Sequence, residues 1–412
     1  MNKLKYIDLF AGAGGLSEGF MQTNMYNEIA AVEWLKQPAE TLRNRLKNKW
    51  KIKDADKRVL NFDISRENEL INGWNDKRYG IGIGLDKLIK LSGGIDVIIG
   101  GPPCQAYSIA GRVRDANGMK NDYRNYLFEH YLNIVKRYHP KAFVFENVPG
   151  MLSAKPDGEL ITEKIKRGFS NIGFEIIDDL KKFALINTED FGVPQSRKRV
   201  IIVGLQKKLI NKEYDIQKIL QQYYKEYLSQ YKQNKKMTVK EAIGDLKKFE
   251  PIDVTDKKKS YRPQKNDYSP EVSWHIPRYH NKRDKKIFNM LAKDIENGDN
   301  LYTNSAALSK LYNEQIGSNS PIHRYHVLRP DKPSTTIIAH LYKDGNRFIH
   351  YDSVQSRTIT PREAARLQSF PDDFEFIGSQ GAVYQMIGNA VPPKLSFYIA
   401  KSLKDLIYDY LM

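Results

Sequence analysis

Cys104 is the one cysteine in 412 residues, and its setting is that of a nucleophile. It follows Gly100-Gly101-Pro102-Pro103, whose glycines and prolines force a sharp exit from the apolar run Ile95-Asp96-Val97-Ile98-Ile99. A thiol on a stiff loop at the carboxyl end of a buried strand is placed to attack a ligand. The alternative is a buried cysteine acting as a small hydrophobe. A second group lies near the N-terminus, where Ala11-Gly12-Ala13-Gly14-Gly15 follows the run Tyr6–Phe10 and opens a helix. That geometry lets a ligand approach backbone N–H groups closely. The spacing is neither the dinucleotide fingerprint nor a phosphate loop, so it points to another nucleoside-type cofactor, or to a turn with no ligand. Glu33 ends the next apolar run and is placed to accept hydrogen bonds from both ribose hydroxyls, with Trp34 beside it to stack on or pack against a purine. A surface acid and a partly buried tryptophan are the bland alternative. Asp63 and Glu146 each end a further apolar run.

These groups need a common scaffold. Tyr6–Phe10, Glu28–Val32, Asn61–Ile64, Ile95–Ile99, Ala142–Phe145 and Val200–Gly204 read as strands. Helical patterns over Pro38–Lys49 and Tyr123–Tyr138 alternate with them, and Arg66–Ser92 reads as a helix with loops. An α/β fold follows. In an open parallel sheet the strand ends share one edge, where ligands bind. The glycine turn, Glu33, Asp63, Cys104 and Glu146 would all meet there.

From Leu205 to about Tyr325 the alternation is lost, and lysine and arginine outnumber the acids, with tyrosines interleaved. This reads as a second domain or a large insertion. Farther on, Thr360 is placed as an N-cap, Pro361 fits the first helical position and Glu363 closes a capping box. The net charge is +17 and the pI is near 9.4. That balance fits a polyanionic partner, most simply nucleic acid, or a lysine-rich composition with no such partner. The apolar fraction, 41%, suffices for a sizeable core. No apolar run approaches the roughly 20 residues of a membrane span. One cysteine excludes an intramolecular disulfide framework and a cysteine-rich zinc site. The first residues lead at once into a strand, with no signal peptide. A cytoplasmic protein with no metal site is expected.

Six stretches in order resemble the cytosine-carbon-5 DNA methyltransferases. They are Asp8–Gly15, Gly101-Pro102-Pro103-Cys104-Gln105, Glu146-Asn147-Val148, Gln195-Ser196-Arg197-Lys198-Arg199, Thr360-Pro361-Arg362-Glu363 and Gly388-Asn389-Ala390-Val391. Together they span most of residues 1–204 and the last part of the chain. The resemblance implies a Rossmann-like, S-adenosylmethionine-dependent methyltransferase sheet with a second, smaller target-recognition domain. Residues 1–205 plus 384–412 would form the catalytic, cofactor-binding domain and 206–383 the small domain and hinge.

The resemblance also implies roles. Carbon 5 of cytosine is a poor nucleophile until a thiolate adds to carbon 6, the part assigned to Cys104. Glu146 would act at ring N3 and Arg199 at the ring carbonyl oxygen, with Arg197 supporting the pocket or nearby backbone. Phe10, Gly12, Gly14, Gly15 and Leu16 would surround the methionine part of S-adenosylmethionine. Glu33 would take the ribose, Trp34 the adenine, and Asp63 with Ile64 the purine edge. Pro103, Leu127, Asn389, Ala390 and Val391 would complete that pocket. The target base must be turned out of the duplex; Gln105, Ser108 and Arg112 would fill the gap or touch phosphates. The base that removes the carbon-5 proton is unassigned. Double-stranded DNA is the expected partner of a monomer acting in a restriction-modification system, beside a restriction endonuclease for the same site. A tRNA methyltransferase shares the catalytic parts, but the basic insertion and the Gly101–Ala106 context favour DNA. A non-catalytic DNA-binding protein is disfavoured by the intact Cys104, Glu146 and Arg199.

Overall fold

The first strand, β1 (Leu4–Leu9), lies inside an eight-stranded sheet. The computed structural model describes residues 2–103, 127–155, 158–252, 260–265, 267, 269, 271–317, 325–343 and 345–412. Around β1 lie β2 (Tyr26–Glu33), β3 (Val59–Asn61), β4 (Val97–Gly100), β5 (Ala142–Asn147), β6 (Phe174–Ile176), β7 (Leu185–Asn187) and β8 (Lys198–Gln206). The order is β3-β2-β1-β4-β5-β8-β6, with β7 also paired to β8. β1 to β5 run parallel, whereas β8 is antiparallel to β5, β6 and β7. The near-continuous apolar runs read in the sequence are those of strands covered on both faces: Tyr6, Ile7, Val97, Ile98, Phe143 and Val144 are all fully buried.

Helices flank the sheet: α1 (Gly15–Gln22), α2 (Lys36–Asn48), α3 (Leu127–Tyr138) and, at the C-terminus, α8 (Pro393–Tyr410). α1 and α8 approach closely because Gly19 faces the Phe397 and Pro393 backbone, where a Cβ would collide. The Ser396 hydroxyl then donates to the Leu16 carbonyl. The Arg66–Ser92 stretch, expected as a helix with loops, also contains a hairpin that pairs Trp74–Asp76 with Gly80–Gly82. Its Trp74 ring stacks on Phe62 at 4.0 Å. A three-residue strand carries too little periodicity to be read from sequence.

Packing divides the chain into two units. The first comprises residues 1–191, 198–234 and 390–412; the second comprises 192–197 and 235–389. The basic stretch from Leu205 therefore begins inside the first unit. Tyr224 donates to the Ile201 carbonyl, and the Ser402 hydroxyl of α8 donates to the Tyr227 carbonyl.

The second unit has a small apolar cluster from α4 (Lys282–Glu296) and α5 (Ser305–Ile316), including Phe288, Leu291 and Leu311. It also has a buried polar core. Thr360 caps α6 (Pro361–Leu367) in a complete capping box with Glu363, as the sequence suggested. Glu363 is bound by Arg357 at 2.6 Å, both side chains being fully buried. Arg362, also buried, donates to the carbonyls of Ser273, Pro371 and Phe374. Paired and hydrogen-bonded in this way, buried charges are tolerated.

Candidate active site

β1 ends in a strained turn. Phe10 has φ 60° and Gly12 and Gly14 have φ 57° and 88°, values that glycine tolerates and phenylalanine rarely adopts. A Cβ on Gly12 would meet nothing within 4 Å, so space is open over this residue. A Cβ on Gly15 would collide with the Val391 carbonyl and touch Ala390, so these three expected pocket residues do lie together in the first unit. Leu16 is buried below the turn.

Glu33 at the end of β2 is bound to that turn. Its Oε2 accepts from Gly12 N and its Oε1 from Leu35 N, both at 2.8 Å. Burial pushes its carboxyl up to about 7, against the opposing effect of the backbone donors of Leu35, Gly12 and Trp34. Trp34, next along, is 49% exposed. An indole with half its surface in water is unusual for so large an apolar group, and here it stands at the strand edge beside the carboxylate. Asn61, the last residue of β3, donates from Nδ2 to the carbonyls of Glu33 and Trp34, each at 2.9 Å. Beyond it Asp63 is half-buried, its Oδ1 taken by the Ser65 backbone and hydroxyl, and Ile64 is buried. Leu127 is buried at the start of α3.

The open volume over Gly12, the adjacent carboxylate and the exposed indole fit a nucleoside whose ribose faces Glu33. These residues therefore suit S-adenosylmethionine.

At the ends of β4 and β5 a second group assembles. Glu146 Oε1 lies 2.8 Å from Arg199 Nε, and both side chains are largely buried. Antiparallel pairing is the reason: Glu146 faces Ile201 and Asn147 faces Val200, so the start of β8 lies beside the end of β5. A parallel β8 would carry Arg199 to the far edge. Burial lowers the Arg199 guanidinium from its ordinary value, and Glu146 opposes that. Arg199 Nη1 also donates to the Lys198 carbonyl at 2.7 Å. On the other side, a Cβ on Gly101 would lie 2.7 Å from Glu146 Oε2, so any larger residue there would displace the carboxylate. Asn147 donates to the Pro102 carbonyl at 3.3 Å, two residues before Cys104. Pro103 is exposed. Cys104, Gln105, Ser108 and Arg112 lie outside the described residues.

Arg197 and Asn389 belong to the second unit. Arg197 is 1% exposed and donates to the carbonyls of Ile337 and Gly388 at 2.7 and 3.1 Å. Gln195, quoted above only as part of a motif, accepts from Ile337 N and donates to the Leu367 carbonyl. Such contacts with distant backbone leave no trace in the sequence. Asn389 is exposed at the end of a helix, Gln380–Asn389.

The fold is that of methyltransferases of known structure. A protein assigned as a DNA modification methyltransferase of a prophage in E. coli superimposes with TM-score 0.63 at 25% identity, covering 98% of this chain and all of that one. The S. pombe Dnmt2 methyltransferase gives TM-score 0.54 at 16% identity, covering 98% and 99%. The chain belongs to the C-5 cytosine-specific DNA methylase family, whose sequence model matches residues 4–405. Among its relatives, the type II methyltransferase M.Bpa9945I of Bacillus paralicheniformis is 35% identical over 97% of this chain and 98% of its own length. The protein is thus a C-5 cytosine DNA methyltransferase whose relatives are type II methyltransferases. Among the described residues no helix is long and apolar enough to cross a membrane.

Proposed function

We propose that the chain methylates carbon 5 of a cytosine within one specific double-stranded DNA sequence, on a base turned out of the duplex, through a covalent bond from Cys104. The single observation that carries this reading is the Glu146–Arg199 pair, held at the strand edge where the Cys104 loop leaves β4. S-adenosylmethionine, when bound, supplies an electrophilic methyl group on a sulfonium.

Cys104, as thiolate, forms a bond to carbon 6, and the displaced π electrons make carbon 5 nucleophilic. Those electrons spread over N3 and the ring carbonyl. Arg199 holds Oε1 of Glu146, so the carboxyl keeps a fixed orientation with Oε2 over Gly101. A carboxyl so oriented acts at N3, and the guanidinium acts on the carbonyl oxygen, where preorganised charge stabilises the addition. After methylation a base takes the carbon-5 proton, the electrons reform the C5=C6 bond and the thiolate leaves. Asn147, through Pro102, positions the loop that carries Cys104. Arg197, committed to the Ile337 and Gly388 carbonyls, supports backbone. Glu33 and Trp34 hold the ribose and adenine, and Phe10, Gly12, Gly14, Gly15 and Leu16 line the methionine part. Asp63, Ile64, Pro103, Leu127, Ala390 and Val391 complete the pocket. Gln105, Ser108 and Arg112 would serve as DNA contacts, and residues of the second unit would read the sequence. The net charge of +17 favours phosphate contacts, so binding weakens steeply with salt. A monomer that protects host DNA from an endonuclease of the same specificity completes the reading.

Bisulfite sequencing of host DNA after expression tests it. Protected cytosines confined to one sequence, and absent with Cys104→Ala, are expected. Fully converted DNA beside newly methylated tRNA would transfer the activity to RNA.

A further inference from the structure

We infer that Asn61 is a positioning residue for the adenine of the cofactor, acting through the backbone of Trp34. The inference rests on the reading that Trp34 stacks on that adenine.

Asn61 is the last residue of β3 and sits opposite Glu33 in the parallel register. There the ladder ends. The Phe62 N–H still reaches the Glu33 carbonyl at 3.1 Å, but the chain after Glu33 turns away from β3. A side chain takes over where the main chain stops. The two hydrogens of the Asn61 amide go to two successive carbonyls, Glu33 and Trp34, both at 2.9 Å. No other residue type of this length carries two donors on one atom. From the other direction, Leu35 N donates to Glu33 Oε1. The peptide on each side of Trp34 is therefore held, although its ring is 49% exposed and packs little. An exposed ring on a free backbone would lose rotational and main-chain freedom on stacking, which weakens binding. The clamp removes that loss in advance. It also keeps the Glu33 carbonyl, and so its carboxylate, in register with Gly12. The amide lies on the adenosyl side and touches no group expected at the methyl donor, so it affects binding and not the chemical step.

The test measures binding of S-adenosylhomocysteine by calorimetry to the native chain, Asn61→Ala, Asn61→Asp, Trp34→Ala and the double variant Asn61→Ala/Trp34→Ala. Asn61→Asp keeps the shape and removes both donors, and thermal melting of each variant checks the fold. The expected result is about tenfold weaker binding for each Asn61 variant, the size of one or two lost hydrogen bonds, with kcat at saturating cofactor unchanged. Trp34→Ala weakens binding by at least as much, and Asn61→Ala adds nothing in that background. Native affinity in both Asn61 variants, with Trp34→Ala weakened, overturns the inference and leaves the adenine reading standing. Native affinity in Trp34→Ala overturns that reading and the inference with it. Additive losses in the double variant place the effect of Asn61 elsewhere and overturn the inference alone.

Discussion

Arg199 Nε approaches Glu146 Oε1 to 2.8 Å across two antiparallel strands, with only glycine at position 101 on the carboxylate's other side. The pair binds each partner's orientation to the other's. Removing either one leaves a largely buried charge without its counterpart.

Arg199→Ala therefore loses activity twice, through the missing cation and through a loosened Glu146. A fall in kcat of at least about 100-fold is expected, the usual effect of deleting one donor from a charge-stabilising site. Glu146→Gln keeps the shape and is expected to fall comparably. Single-turnover methylation of duplex DNA measures both. Gly101→Ala adds a methyl group against Glu146 Oε2 and is expected to impair activity while cofactor affinity is kept.

Cofactor affinity should depend on pH through Glu33. Burial holds its carboxyl at about 7. In the proposed complex the ionised form accepts both ribose hydroxyls, whereas a protonated one would give up an acceptor. Affinity for S-adenosylhomocysteine is thus expected to fall as pH drops below 7, approaching tenfold per unit. Calorimetry from pH 6 to 8 shows the slope, and Glu33→Gln should bind weakly with no slope.

Glu28 makes the opposite contribution, to stability. It is fully buried, accepts from the Tyr6 hydroxyl at 2.6 Å and faces Ser17, Arg58 and Glu18. Burial first of all raises its carboxyl from 4.5 to about 7. The folded chain keeps a proton that the unfolded chain releases above 4.5. Stability therefore falls as pH rises from 4.5 through 7, and the full cost, at most about 3 kcal/mol, is present above 7. Glu28→Gln retains the acceptor for Tyr6 and removes this cost. Its melting temperature is expected to exceed the native one at pH 8 and to match it near pH 5.

The second unit should be sensitive to acid. His280 bonds the Tyr261 and Thr358 hydroxyls, and burial, with Arg278, Arg357 and Lys285 nearby, pushes it down to about 3. His350 is likewise pushed to about 3 by burial and Arg357, against the opposing charges of Glu363 and Asp352. Unfolded histidines take up protons below about 6.5, and these two do so in the fold only near 3. Their contribution is complete above 6.5 and is lost as pH falls, by about 2 kcal/mol each at pH 5. Denaturant unfolding at pH 7.5 and 5 measures the loss, and His280→Asn should reduce it.

Much of this was legible in the sequence because the parallel strands are covered on both faces and read as unbroken apolar runs. The glycine turn, Glu33 and the Thr360 cap each carry a local rule that holds without tertiary context. The direction of β8 carries none. Val200–Gly204 is equally apolar either way, yet its reversal is what brings Arg199 to Glu146. Asn61 opened the run Asn61–Ile64 read as the third strand, whereas it is the last residue of β3, and nothing in the sequence marks its side-chain partners, which lie on a neighbouring strand and the turn after it. The composition shift at Leu205 marked a surface richer in lysine, whereas the packing changes unit at 234, since Tyr224 buries against the sheet and the Tyr227 carbonyl accepts from Ser402 of α8.

The bond from Cys104 to carbon 6 is tested most directly with duplex DNA carrying 5-fluorocytosine and saturating S-adenosylmethionine. Fluorine at carbon 5 cannot leave as a proton does, so the adduct persists. A denaturation-resistant complex is expected, with the DNA attached to the peptide that contains Cys104 and none formed by Cys104→Ala. Carbon-5 methylation of ordinary DNA with no trapped complex, or a complex through another residue, would contradict it.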